Sequence, residues 1–169
     1  LLAAAARVSL ERLLARHALS VVEGAGSPAE INLADHDYVN LDAARWARAA
    51  GPMRALLVCD VDRGGAFAHL YGTWQLLPAD LRDDLAGFVL NKFRGDAALL
   101  APGPQQLEAL TGVPLAGLHV ETPVEGVRLV PSSIALAGAE VADGLLGEGL
   151  RELLVLQVEA LLVDAQFSR

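Results

Sequence analysis

The chain repeats one pattern: a short apolar run closes on a polar residue, and a helical stretch follows. The run Leu19–Val22 closes on Glu23, Ala55–Cys59 on Asp60, and Gly87–Leu90 on Asn91. Such runs suit strands buried on both faces. Between them the apolar spacing is helical. Val8, Leu10, Leu13 and Leu14 predict a first helix up to about His17, and Leu41–Ala50 predicts a second, stopped by Gly51-Pro52. Ala66–Leu77 predicts a third, and Pro78 opens a short turn of helix. Pro104–Leu110 predicts another, stopped by Gly112, and Val113–Val120 a fourth strand. Alternation of this kind predicts an α/β fold, a parallel sheet with helices on both faces. Ligands of open parallel sheets bind beyond the carboxyl ends of the strands. Three polar strand ends therefore predict a site on one rim.

After Val120 the character changes. Glu121–Gly149 holds Pro123, Pro131 and five glycines, which reads as a loop with a short strand at Val127–Val130. Leu150–Val163 is apolar around most of its circumference and is expected to be a helix that packs on the sheet or a partner. The division expected is residues 1–120 as a partial nucleotide-binding domain, and residues 121–169 as a divergent linker with an apolar C-terminal helix.

Composition narrows the function classes. The net charge of −8, from 13 basic and 21 acidic residues, disfavours nonspecific binding to nucleic acid. Cys59 is the only cysteine, so one chain can form neither a disulfide framework nor a thiolate zinc site, and a reducing cytoplasm is expected. Leu1–Ala6 is too short for a membrane span before Arg7, Glu11 and Arg12. His17, His36, His69 and His119 show no paired metal spacing.

Three stretches carry candidate chemistry. In Val21–Leu33, a strand delivers Glu23 into a loop of small residues that also holds Glu30 and Asn32. A carboxylate there can hold Mg²⁺, directly or through water; it can equally be the exposed end of a tight turn. In Val58–Phe67, Asp60, Asp62 and Arg63 precede Gly64-Gly65 at a helix start, where free N–H groups favour an anion. Arg63 can grip a phosphate or carboxylate in two places; the plainer reading is a surface salt bridge between Asp62 and Arg63. In Val89–Asp96, Asn91 offers a donor and an acceptor that suit a purine edge, beside Lys92 and Arg94. A polar turn closed by Gly95 accounts for the same residues.

Taken in order, VEGAGSPAEINL (Val22–Leu33), DVDRGGAFAHLYGTWQLLP (Asp60–Pro78) and GFVLNKFRGDAALLAPG (Gly87–Gly103) resemble the cobyric acid synthases. LTGVPLAG (Leu110–Gly117) fits the same family, so the likeness covers roughly the first 120 residues. The resemblance implies a P-loop NTPase-like fold similar to dethiobiotin synthetase, here lacking the phosphate-loop segment, since no G-x-x-x-x-G-K-[ST] occurs. It implies ATP and Mg²⁺ as cofactors, and glutamine-dependent amidation of peripheral carboxylates of adenosyl-cobyrinic acid a,c-diamide. Ammonia would come from an amidotransferase domain outside this stretch, without which the stretch is expected to be inactive.

Carried over by position, the catalytic residues are Glu23, Asp60, Asp62 and Arg63, with Glu23 and Asp60 toward the metal. Asn91, Lys92, Arg94, Gly64 and Gly65 would bind the nucleotide, and Glu30 and Asn32 the corrinoid. A homo-oligomer is allowed; nucleic acid and membrane are not expected partners. A cobyrinic acid a,c-diamide synthase-like enzyme, or a catalytically incomplete binding module for nucleotide or corrinoid, are the alternative readings.

Overall fold

The computed structural model describes residues 1–17, 19–62, 64–120 and 152–157. The element order is α1 (Leu2–Leu14), β1 (Ser20–Glu23), a 3-10 turn at Ile31–His36, α2 (Leu41–Ala50), β2 (Met53–Asp60), α3 (Ala66–Leu76) and α4 (Ala79–Arg82). It continues with β3 (Leu85–Phe93), a 3-10 turn at Ala97–Leu100, α5 (Gly103–Thr111), β4 (Leu115–Val120) and β5 (Glu152–Gln157). The five strands form one sheet in the order β1-β5-β2-β3-β4, and every pairing is parallel. The α/β class and the parallel sheet flanked by helices are as expected.

The core follows from strand alternation. Met53, Ala55, Leu57 and Cys59 occupy one face of β2, because successive side chains point to opposite sides. They share a buried cluster with Leu41, Ala44 and Ala47 of α2, Leu70 of α3, Leu81 of α4 and Leu107 of α5. Phe88 and Leu90 add the matching face of β3. The described helices thus cover one face; the expected second helical layer has no counterpart among the described residues. Leu56, Val58 and Val89, on the opposite side, are nonetheless buried. That two-sided burial explains why β2 and β3 read as unbroken apolar runs.

One element corrects the expectation. Within the helix predicted over 150–163, Glu152–Gln157 is a strand. It pairs with β1 on one side and β2 on the other. Leu153–Leu156 is a short apolar run, and periodicity cannot separate a buried strand from a buried helix at that length. An all-round apolar character is also what a central strand requires, and pairing on both edges satisfies its backbone. The loop and short strand expected within 121–149, and the remainder of the predicted helix, lie outside the described residues.

Candidate functional site at the carboxyl rim of the sheet

The strongest juxtaposition lies on β2 and β3. Asp60 and Asn91 are register partners, so the ladder itself sets them side by side. The main chain continues the link, with the Val61 N–H donating to the Asn91 carbonyl at 3.1 Å. Asp60 Oδ1 accepts from the Asp62 N–H at 2.9 Å. Asp60 Oδ2 pairs with the Lys92 ammonium. The plainer expectation paired Asp62 with Arg63. Arg63, and with it that pairing, lies outside the described residues; Asp62 stands 3.8 Å from the Arg94 guanidinium.

The third strand does not end at Asn91, as expected, but runs on to Phe93. The apolar Phe93 is buried and draws the chain back into the sheet. Between them the ladder slips: Leu90 pairs with Leu118 and Phe93 with Val120, three steps on β3 against two on β4. Lys92 takes up the extra residue with φ 56°. That left-handed conformation costs a non-glycine residue about 1–2 kcal/mol. Bulges beside sites re-aim side chains, and this one carries Lys92 to Asp60.

Gly64 and Gly65 follow with φ 73° and 67°. Two consecutive left-handed residues let the chain turn sharply from Asp62 into α3, which begins with no side-chain cap. Its first N–H groups thus lie on the rim with no cap from the residue before the helix.

The loop after β1 stands apart. Glu23 and Leu56 both pair with Val155, from opposite sides of β5. Glu23 is therefore level with Leu56, four residues before Asp60, an offset of about 13 Å along the strands. It shares the carboxyl rim but sits lower on it. Among the described residues no group of three or more His, Cys, Asp or Glu gathers at metal-binding distance. Glu23 and Asp60 together on one ion do not fit this register; either alone, completed by water, does. Glu30 and Asn32 are exposed at the start of the Ile31–His36 turn.

Two residues of this loop system were not singled out from the sequence. Asn40, buried, donates from Nδ2 to the Ala25 carbonyl at 2.9 Å and to both Asp37 carboxylate oxygens at 3.1 and 3.2 Å. Asp37-x-x-Asn40 directly before a helix is visible in the sequence, but it resembles any helix start.

The comparisons with known proteins bear on the same stretch. The chain is 64% identical over 113 residues to the cobyric acid synthase of Leptothrix cholodnii, covering 67% of this chain and 21% of the relative. The cobyric acid synthase of Variovorax paradoxus is 65% identical over 105 residues, 62% of this chain and 21% of the relative. That of Methylibium petroleiphilum is 65% identical over 109 residues, 64% and 21%. Over that stretch the chain closely resembles the cobyric acid synthases. It spans about a fifth of the length of the curated relatives it matches. No profile of a known family matches the chain, and no solved structure does. No helix among the described residues is long and apolar enough to cross a membrane.

Proposed function

We propose that this chain forms part of the ATP-dependent synthetase unit of a cytoplasmic cobyric acid synthase, with a dethiobiotin synthetase-like, P-loop NTPase-like plan. The reaction would be amidation of peripheral carboxylates of adenosyl-cobyrinic acid a,c-diamide, with ammonia from a glutamine amidotransferase unit. A carboxylate is a poor acyl donor and an acyl phosphate a good one, so the carboxylate is first phosphorylated. Phosphoryl transfer asks a protein for positioning and charge neutralisation more than for covalent help. The observation that carries the reading is the in-register pair Asp60 and Asn91 beside the Gly64-Gly65 start of α3.

In this reading Asn91 meets the adenine edge with its paired donor and acceptor. The N–H groups at the start of α3 face phosphate. Lys92, Arg94 and Arg63 supply positive charge to a rim that Asp60 and Asp62 make acidic. Asp60 orients Lys92 and the turn through Asp62. Glu23, about 13 Å lower by register, together with Glu30 and Asn32, serves the carboxylate-bearing substrate. Magnesium, bound with ATP, would neutralise phosphate charge, held by Asp60 or by Glu23 with water rather than by both.

The test is a chimera. The matching segment of the Leptothrix cholodnii cobyric acid synthase is replaced by this chain's residues, and ATP- and glutamine-dependent amidation is followed. Retained amidation, lost on Glu23→Ala or Asp60→Ala, is expected. A folded chimera that binds neither ATP nor the corrinoid contradicts the proposal.

A further inference from the structure

Asn40 stands one residue before α2, where an Asn side chain ordinarily accepts a hydrogen bond from the first turn of its own helix. It makes no such bond. Its side chain reaches back fifteen residues, and Nδ2 donates to the Ala25 carbonyl at 2.9 Å. The same nitrogen donates to Asp37 at 3.1 and 3.2 Å, and Asp37 Oδ1 also accepts from the Asn40 N–H at 2.8 Å. Asn40 is only 2% exposed. Its Oδ1 has no partner among the described residues, which burial penalises. Asn40 thus forgoes its cap and buries an unmatched acceptor, while both of its side-chain roles fall to Nδ2. What Nδ2 holds is Ala25, inside the turn that joins Glu23 to Glu30.

Gly24 and Pro28 of the loop are buried, and among the described residues its other side-chain hydrogen bond is its own. Ser27 Oγ accepts from the Ala29 N–H at 3.2 Å, a contact internal to the loop. Gly26 contributes a left-handed residue with φ 72°. Among the described residues, the bond from Asn40 Nδ2 is the side-chain hydrogen bond that ties this loop to the start of α2. We propose that Asp37 and Asn40 are positioning residues that clip the Gly24–Glu30 loop to the start of α2. Asp37 orients the amide, the amide pins the Ala25 carbonyl, and the pinned carbonyl sets the path from Glu23 to Glu30. That the clipped loop serves the corrinoid rests on the function proposed above; the clip itself does not.

Hydrogen exchange on this chain tests the clip without any ligand. Asn40→Ala should speed exchange of the Gly24–Glu30 amides about five- to tenfold, the equivalent of one lost hydrogen bond. Asp37→Ala, at a half-buried position and gentler on the fold, should give a smaller rise at the same amides. Asp37→Asn keeps an acceptor for the Asn40 N–H and Nδ2 and should stay within about twofold of the parent. In all three, exchange in β2 should not move. Unchanged loop exchange in folded Asn40→Ala or Asp37→Ala overturns the proposal. An equal rise across β2, or no rescue by Asp37→Asn, also overturns it, since the residues would then be ordinary structural supports. A clip seen by exchange alongside an inactive chimera would sink the functional reading alone, and the reverse result would sink the clip alone.

Discussion

The rim is built in two ways. At β2–β3 the sheet does the positioning: Asp60 and Asn91 are neighbours because their strands are in register. At β1 the strand is four residues long and stops lower, and a side-chain clip from α2 takes over. A ladder of backbone hydrogen bonds over a two-sided apolar core is hard to displace. A loop that a buried amide pins at the Ala25 carbonyl gives way there at the cost of about one hydrogen bond. The nucleotide end of the proposed site is therefore rigid, and the substrate end is the adjustable one.

The largest test of that contrast strikes the rigid half. Phe88 is fully buried on β3, three residues before Asn91, paired with Leu57. Phe88→Ala should cost about 3–5 kcal/mol, read as a lower denaturation midpoint. Exchange protection should be lost in β2 and β3 together. Protection lost in β3 alone would show that the ladder does not act as one unit. Next in size is Gly103→Ala. A Cβ there would lie 2.5 Å from the Phe67 ring. Overpacking of this kind costs about 1–3 kcal/mol. It should disturb α3 and the Asp60 turn while leaving exchange in the Gly24–Glu30 loop as it was.

Lys92 gives a finer comparison. Lys92→Gly removes both the left-handed strain and the pairing with Asp60, whereas Lys92→Met removes only the pairing. Lys92→Gly should be more stable than Lys92→Met by about 1 kcal/mol in thermal or urea unfolding. In the chimera both should weaken ATP use. Equal stability of the two variants would mean the bulge is relaxed and not held against strain.

The smallest effect concerns α2 and α4, which bridge the two halves. Arg45 Nε and Arg48 Nη2 donate to Asp80 Oδ2 at 3.3 and 3.0 Å, and Arg48 Nη1 donates to Asp84 at 2.9 Å. Burial pushes the Asp80 carboxyl upward, but the hydrogen bonds from Arg45 and Arg48 outweigh it and hold the pKa below the ordinary value. The Asp80 bond is in turn the main reason the Arg48 guanidinium is raised above its own. A lowered carboxyl contributes stability that is present above its unfolded pKa and lost as pH falls through the folded one. Asp80→Asn should flatten that acid limb of the stability curve slightly, since these side chains are largely exposed and screened. A steep change on substitution would assign the bridge more weight than its exposure allows.

Much of this was legible beforehand, for physical reasons. Leu41–Ala50 emerged with both ends as expected, because Gly51-Pro52 forces a stop. β2 and β3 announced themselves as unbroken apolar runs, and their polar ends placed Asp60 and Asn91 on a shared rim. The segment Glu152–Gln157 misled, because four consecutive apolar residues carry no period. Its insertion between β1 and β2 is a long-range pairing that no local pattern encodes, and that pairing sets how far Glu23 sits from Asp60. The bulge at Lys92 was hidden for a similar reason: it arises from the match between β3 and β4. Asn40 was hidden by resemblance to an ordinary cap, and only the observed path of its amide separates the two.

The division of labour is tested most directly by steady-state kinetics of the chimera. Asn91→Ala should raise KM for ATP about tenfold, the loss of one hydrogen bond, with KM for the corrinoid unmoved. Glu30→Ala should raise KM for the corrinoid and leave that for ATP alone. Each substitution shifting both constants equally, or the two shifting them in the opposite sense, would contradict a rim whose β2–β3 edge takes the nucleotide and whose clipped loop takes the corrinoid.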